Sequence, residues 1–587
     1  MIEALRDLLE RPRAEEEEQG QRRTRARRRE AEPGTRRLMR PRWRAHALLL
    51  ALSAAPLVVA CSSGPRHFST APVLWTDDDR RPFLPKPEET YVPLYWDGAD
   101  HILFRPISHA FLLQTGHEAV DVNALDEVPG SSWFVNRLSR QRMSTEEIAR
   151  GACEHPSPEG AVPWKVVGAK MDGDNPGFRI RTAAGQTFVL KFDSPDQWER
   201  ASAADVIGSR LYHAAGYQVP CNRVVYFRPE DLAPPEKPIA GPGGKPLTAE
   251  SITAMLKNLP READGTIRAL ASEFLPGKPL GPWLYESRWG DDPNDAVRHE
   301  DRRELRGSRL MAAWLQHHDA RSQNTLMMWS EDRKGGGHVE HYVIDWGDCL
   351  GGLTQWDSIS RRVGHAYYID FGYMAADFFT FGAIERPWER AAFGPGGKTL
   401  GYYTDRDFDP EGWHVGYPNV AFSAMEESDG AWIARIIARF DDAAVTAVVR
   451  EARLSNPVVR AELERVLRSR RDAIVRRYLG RLSSLADARI DGRQLCLRDR
   501  AEESVLGPPP APSAQVWFST TTAAVVPLHR RPGGELCAEV PAIGPAQLIF
   551  ELSTGRPGQG PLRVHVETAP EPRVVGLQRP DGAGTPL

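Results

Sequence analysis

Beyond residue 60 this 587-residue sequence has no apolar stretch long enough to cross a bilayer as a helix. That removes a polytopic helical membrane protein from consideration. Charge of one sign is also missing. The 75 basic and 79 acidic residues leave a net charge of -4, which points to neither nucleic acid nor an anionic surface as a partner. No segment repeats internally. The six cysteines contain no Cys-x-x-Cys, so a zinc ribbon is excluded, and no His-Glu-x-x-His marks a metalloprotease helix. What is present is 41% hydrophobic and 26% charged residues, the profile of a globular protein, in a chain long enough for two or three domains.

The N-terminus carries an address. Residues 1–38 are an Arg/Glu-rich run that cannot build a core, so disorder is the physical expectation. From Met39 the character changes: Arg40, Arg42 and Arg44 precede an apolar run from Ala45 to Ala60 that ends in Leu57-Val-Val-Ala-Cys61-Ser-Ser-Gly64. These are signal-peptide proportions, and the ending resembles a bacterial lipoprotein signal in which Cys61 takes the lipid. Residues 39–61 are then the signal. Met39 is the expected initiator, with 1–38 a mis-called extension, and the mature protein sits outside the cytoplasm, held to the cell membrane by its lipid anchor. Ser62 after the cysteine resembles lipoproteins sorted to an outer membrane. Among the other cysteines, Cys496 and Cys537 flank one block and suit a disulfide, while Cys153, Cys221 and Cys349 are scattered and the odd count leaves a free thiol.

Residues 62–100 are rich in Pro and Asp and read as a tether, within an extension reaching 118. Short strands are expected in Val120–Leu125 and Ser131–Val135, and Ser144-Thr-Glu-Glu147 has the pattern of a capping box. Strands are predicted at Val162–Lys170, Phe178–Thr182 and Thr187–Asp193, followed by a helix over Gln197–Ala215 that Gly216 stops. Further strands follow at Val219–Phe227 and Ile267–Phe274, with a Pro/Gly-rich loop insertion over 228–250 between them. Residues to about 487 are mostly helical, with amphipathic segments at Glu304–Gln316, Asp429–Phe440 and Val458–Leu485. Beyond them short apolar runs broken by Pro and Gly (515–518, 523–528, 546–552, 562–567) fit a small all-β appendage at 488–587.

Three stretches carry the chemistry. In Thr187-Phe-Val-Leu-Lys191-Phe an ammonium sits between apolar neighbours, and burying it requires anions. In His317-His-Asp319-Ala-Arg-Ser-Gln-Asn324 a short loop directs Asp319 and Asn324 toward one place. In Tyr342-Val-Ile-Asp345-Trp-Gly347 an Asp ends a strand ahead of an aromatic and a Gly. Asp-x4-Asn alone occurs roughly once by chance in a chain of this length, so the order of all three matters more than any one. Together they resemble the protein-kinase-like superfamily in its atypical branches, over about residues 160–487.

The resemblance implies an α+β, two-lobed kinase-like fold: a β-rich N-lobe over 119–275 including its extension, and a helical C-lobe over 276–487. It also implies magnesium-dependent transfer from ATP or another nucleotide to an unidentified hydroxyl acceptor. Lys191 would grip phosphates and pair a carboxylate on the following helix, with Glu199 and Asp205 the two candidates. Asp319 would orient the acceptor, and Asn324 and Asp345 would hold the metal, with Asp348 a possible addition. Lys170 would assist on phosphates, and Glu273 and Phe274 would lie near an adenine through their backbone. Two features depart from the family: Trp346 stands where Phe is usual, and residues 168–177 lack the Gly-x-Gly-x-x-Gly spacing. Two other readings stay open. One is a pseudokinase that binds without turnover. The other is a metal-dependent hydrolase using zinc or manganese on His317, His318, His338 and His341.

Overall fold

A computed structural model describes residues 68–91, 94–111, 116–170, 175–241, 244–542 and 544–582. Residues 1–38, the signal segment 39–61 and Cys61 lie outside these. The chain divides into two compact units, Met1–Arg66 with Val92–Ala99 and Pro586–Leu587, and His67–Tyr91 with Asp100–Thr585. The first contributes one described helix, Leu94–Ala99. All that follows concerns the second, which is mixed α+β with several sheets. Among the described residues no helix is long and apolar enough to cross a membrane.

Six strands form the first sheet: β1 (Trp164–Ala169), β2 (Gly177–Arg181), β3 (Thr187–Lys191), β4 (Asn222–Phe227), β5 (Leu232–Ala233) and β6 (Ile267–Glu273), in the order β4-β6-β3-β2-β1-β5. Alternation gives it two different faces. Phe178, Ile180, Phe188 and Leu190 point into an apolar cluster closed by Ile252 and Leu256. The segment 228–250 expected as a bare loop insertion does structural work, since its β5 pairs with β1, and the helix Ala249–Lys257 that follows closes the cluster. The opposite face, with Val224 and Leu270, packs on Val206 of the helix Arg200–Ala215.

Helix α1 (Thr145–Arg150) starts with the expected capping box, Ser144 accepting from the Glu147 N–H and Glu147 from the Ser144 N–H. Helix α2 (Arg200–Ala215) ends at Gly216, whose φ of 132° is open to glycine alone among common residues. After α3 (Ala249–Lys257) come the buried α4 (Arg303–Leu315), then α5 (Glu427–Ile437), α6 (Asp442–Glu451) and α7 (Pro457–Leu479). α6 packs against α1 and α2, tying the first sheet to the helical part. That part is not purely helical. β7 (Lys278–Gly281), β8 (Thr325–Glu331) and β9 (Gly337–Val343) form a three-stranded sheet of their own.

α7 stops at Leu479 rather than 485, because Leu485 opens β10 (Leu485–Asp491). Two further sheets follow. One pairs β10 with β11 (Gln494–Asp499), β15 (Leu536–Glu539) and β14 (Leu528–Arg530). The other has the order β13 (Ala523–Val526), β12 (Ser513–Trp517), β16 (Gln547–Ser553), β17 (Leu562–Glu567) and β18 (Arg573–Gln578). Leu497, Leu536, Val516, Phe550 and Val564 from both sheets share one core.

Two expectations change here. Residues 120–125 and 131–135 form no strand, only one isolated bridge, Phe134 with Tyr217. Residues 68–91 of the Pro- and Asp-rich stretch read as a tether belong to this unit and are bonded along it. The carboxylate of Asp79 accepts from the Ser132 N–H at 2.9 Å and from its hydroxyl at 2.7 Å, Phe83 bridges Gly337, and the Thr90 N–H donates to the Leu280 carbonyl. Prolines that forbid helix are equally compatible with such an extended strap. Cys496 and Cys537 are joined across β11 and β15 as expected, and a second disulfide links Cys153 to Cys221. Among the described residues Cys349 is the free thiol, and it is buried.

Candidate functional site

Lys191 ends β3 on the face opposite Leu190 and Phe192, both of which belong to the apolar cluster. Its ammonium, on a side chain only 14% exposed, lies 3.3 Å from Asp205 and 3.1 Å from Asp345. Burial by itself would lower the pKa of Lys191. The two carboxylates outweigh it and hold the ammonium above its ordinary value.

Of the two helix acids, Asp205 is the partner. Its other oxygen accepts the Trp346 N–H at 2.9 Å, so one buried carboxylate links β3 to the turn after β9. Burial raises the pKa of Asp205, against the pull of Lys191. Glu199 falls one residue before α2 begins, with φ 70°, and its carboxylate accepts from the Ser455 N–H at 3.0 Å instead. Neighbouring Arg200 donates to the carbonyls of Gly347 (2.6 Å) and Cys349 (2.8 Å), a second tie from α2 to that turn.

Asp345 has φ 59° and its side chain is 37% exposed. Burial acts to raise its pKa, but Lys191 and the Gly347 N–H at 3.2 Å prevail and keep the carboxyl below its ordinary value. Trp346 is fully buried against α2, where a Cβ at Gly208 would come within 2.3 Å of the indole.

The β8–β9 hairpin brings the remaining residues alongside. Its register pairs Thr325 with Val343, and just beyond it the Ile344 N–H donates to the Asn324 carbonyl at 3.0 Å. Asn324 thus lies across from Ile344, the residue before Asp345. Its amide nitrogen donates to Asp319, to the carbonyl at 2.7 Å and to Oδ2 at 3.0 Å, and Asp319 Oδ1 accepts from Arg321 at 2.7 Å. The Asp319 N–H donates to Asp348 at 2.9 Å. Burial raises the Asp319 pKa, opposed by Arg321 and reinforced by Asp348.

Lys170 donates to the Asn175 carbonyl at 2.8 Å, and its charge contributes to depressing Asp345. Residues 171–174, the tip of the turn expected to cover phosphates, lie outside the described residues. Glu273 ends β6 and Phe274 follows it. β6 runs on through Glu273, whose N–H bonds the Cys221 carbonyl, while the Phe274 N–H bonds Thr187, so both amides belong to strand pairing. The Glu273 carboxylate pairs with His155 at 2.7 Å.

The four histidines do not form one donor set. His338 leans on Glu340 at 3.0 Å, and His341 meets the Ser132 hydroxyl at 3.0 Å while stacking on Trp133. His317 and His318 instead approach Asp348. Among the described residues the one group of three or more donors close enough for a single ion is His317, Asp348 and Cys349.

Arg321 and Arg179 went unremarked in the sequence. Arg321 engages Asp319, and Arg179, paired with Val189 in the ladder, shares the sheet face of Lys191 with its buried Nε lacking a hydrogen-bond partner. Counting alternate residues back from Lys191 to Val189 and across the hairpin finds Arg179. No pattern marks Arg321.

Asp345 and Asn324 suit a hard cation, since each presents oxygen: a half-exposed carboxylate held ionised by a neighbouring ammonium, and an amide whose bonds to Asp319 use its nitrogen. No family model, no curated protein and no solved structure matches the chain.

Proposed function

We propose that this protein is an atypical kinase-like phosphotransferase that moves the γ-phosphate of ATP or another nucleotide to a hydroxyl acceptor. In this reading the first sheet with α2 is an N-lobe, and the part from β7 to α7 is a C-lobe. Strands β10–β18 are an all-β appendage. The observation that carries it is the convergence on Lys191: Asp205 from α2 and Asp345 from the turn after β9 on one ammonium, with Asn324 and Asp319 alongside.

Each residue then has a task. Lys191, fixed by Asp205, presents an ammonium to phosphate oxygens, and Lys170 adds charge at the same edge. Asp345 and Asn324 would hold Mg2+, whose contribution is to neutralise phosphate charge. Asp319 accepts a hydrogen bond from the acceptor hydroxyl and so aligns it. Catalysis of this kind consists of positioning and electrostatic stabilisation.

The same reading places the protein outside the cytoplasm, lipid-anchored through Cys61, with a protein, sugar or small-molecule acceptor and no nucleic-acid partner. Two disulfides agree with an oxidising compartment. A second reading, binding without turnover, is favoured by one observation: both Asp319 oxygens already accept bonds, from Arg321 and from Asn324.

Calorimetric titration of the protein with magnesium and several nucleotides, repeated on Asp345→Ala, tests the proposal. Magnesium-dependent binding is expected in the parent and a loss of roughly tenfold or more in the variant. Equal binding by both would refute the site, and tight binding with no phosphate transferred would select the second reading.

A further inference from the structure

Beside the phosphotransfer residues lies a cluster that none of those roles uses. His317 and His318 come just after Gln316, the residue that caps α4, and are 1% and 6% exposed. His317 Nε2 is 3.4 Å from Asp348 Oδ1, and Cys349 Sγ is 3.8 Å from the same oxygen. His318 Nδ1 is 3.2 Å from Asp348 Oδ2. One ligand atom each from His317, Asp348 and Cys349 all fall within 4.8 Å of one another. Yet neither imidazole nitrogen makes a hydrogen bond, although both are buried. Buried polar atoms without a partner are rare in folded proteins because leaving them so costs free energy. These two are aimed at the same carboxylate.

The Cys349 thiol donates weakly to Asp348 Oδ1, and the 3.4 and 3.8 Å separations from that oxygen are also those of ligands on a shared ion. Donors bound at ~2.0–2.3 Å around a tetrahedral centre stand about 3.3–3.8 Å apart. We infer that His317 Nε2, one oxygen of Asp348 and Cys349 Sγ bind a single borderline-soft divalent cation, with zinc the best match to one sulfur, one nitrogen and one oxygen. Magnesium, which takes oxygen ligands, does not fit this set. The fourth position falls to water or to His318 Nδ1. The neighbouring guanidinium of Arg200 is bonded to the carbonyls of Gly347 and Cys349. Binding replaces the thiol proton of Cys349, which leaves to solvent, so one proton is released per ion and nothing is oxidised or reduced.

The site has a consequence for the loop before β8. Asp348 Oδ2 accepts the Asp319 N–H at 2.9 Å, so an ion on Oδ1 fixes the carboxylate that holds the Asp319 backbone. The ion is a positioning element. The inference does not depend on the phosphotransferase reading.

The test strips the full chain with a chelator and titrates it with Co2+ alone, then with Zn2+ in competition. One Co2+ per chain is expected, with a thiolate-to-cobalt charge-transfer band that Zn2+ abolishes and release of one proton. Cys349→Ser should lose the band, and His317→Asn should weaken binding roughly tenfold or more. X-ray absorption at the zinc edge of the unmutated chain needs no variant and should show one sulfur ligand. Asp345→Ala, which removes the magnesium ligand proposed above, should leave Co2+ affinity unchanged. Absence of stoichiometric binding, a zinc shell without sulfur, or a Cys349→Ser chain with the parent spectrum overturns the inference. Loss of Co2+ binding in Asp345→Ala overturns the separation of the two sites.

Discussion

Two buried ionic clusters in this protein look alike on paper and differ in how open they are. Around Lys191 one ammonium meets two carboxylates, Asp205 and Asp345, and the second of these is 37% exposed. Around Asp126 the opposite holds. Its carboxylate receives Arg303, Arg435 and Arg579, each 3% exposed, while Glu127 and Asp429 take up the remaining guanidinium charge. The Asp126 cluster is closed and neutralised within itself. It fastens α4, α5 and the chain after β18 to one another. The Lys191 cluster instead leaves one of its carboxylates, Asp345, partly exposed at an accessible edge, with Lys170 charge nearby. A closed cluster holds the fold together; an open one has a place for a ligand.

That contrast can be broken. Asp126→Ala leaves three buried guanidinium groups facing one another and should lower unfolding free energy by about 3–5 kcal/mol in urea melts. Asp345→Ala leaves Lys191 with its partner Asp205, and the same melts should change by less than about 1 kcal/mol. Equal losses would erase the distinction. The Cys153–Cys221 disulfide closes a loop with a sequence separation of 68 just beside β4, and its removal by paired Cys→Ala substitution should cost about 2–4 kcal/mol. Magnesium–nucleotide affinity should be unaffected by that change.

A smaller effect comes with pH. His213 on α2 is held down to about 3, first by burial and then by Arg137, Arg210 and Arg150. The folded state keeps it neutral, so its contribution is complete above the unfolded value of about 6.5. As pH falls from there toward 3, the unfolded chain binds the proton first and stability drops by at most roughly 1.4 kcal/mol per unit. His213→Gln should flatten that part of the stability profile. An unchanged slope would show that other groups set it.

How far the sequence reveals this molecule depends on whether information is local. The strands of the first sheet other than β5, and helices α2, α4 and α7, follow from periodicity and from stops such as Gly216, with ends shifted by a few residues. Lys191 was legible because an ammonium amid Phe188, Leu190 and Phe192 requires an anion. The choice between Asp205 and Glu199 was not. It turns on where α2 begins, and Glu199 sits just outside, in a left-handed conformation. Cys153 meets Cys221 only because an irregular segment after α1 crosses the start of β4, which no spacing encodes. The Cys496–Cys537 pair lies in one block and could be guessed. The strap over residues 75–90 has the composition of a linker, and its docking depends on partners such as Ser132 and Gly337 far along the chain.

The central claim is that Lys191, Asp345, Asn324 and Asp319 form one phosphate-handling cleft. A crystal structure of the protein with magnesium and a non-hydrolysable nucleotide tests it most directly. The account predicts phosphate oxygens within hydrogen-bonding distance of Lys191 Nζ and a metal ion shared by Asp345 and Asn324. A nucleotide seated elsewhere, with the Lys191–Asp345 contact intact and no metal on Asp345, would contradict it.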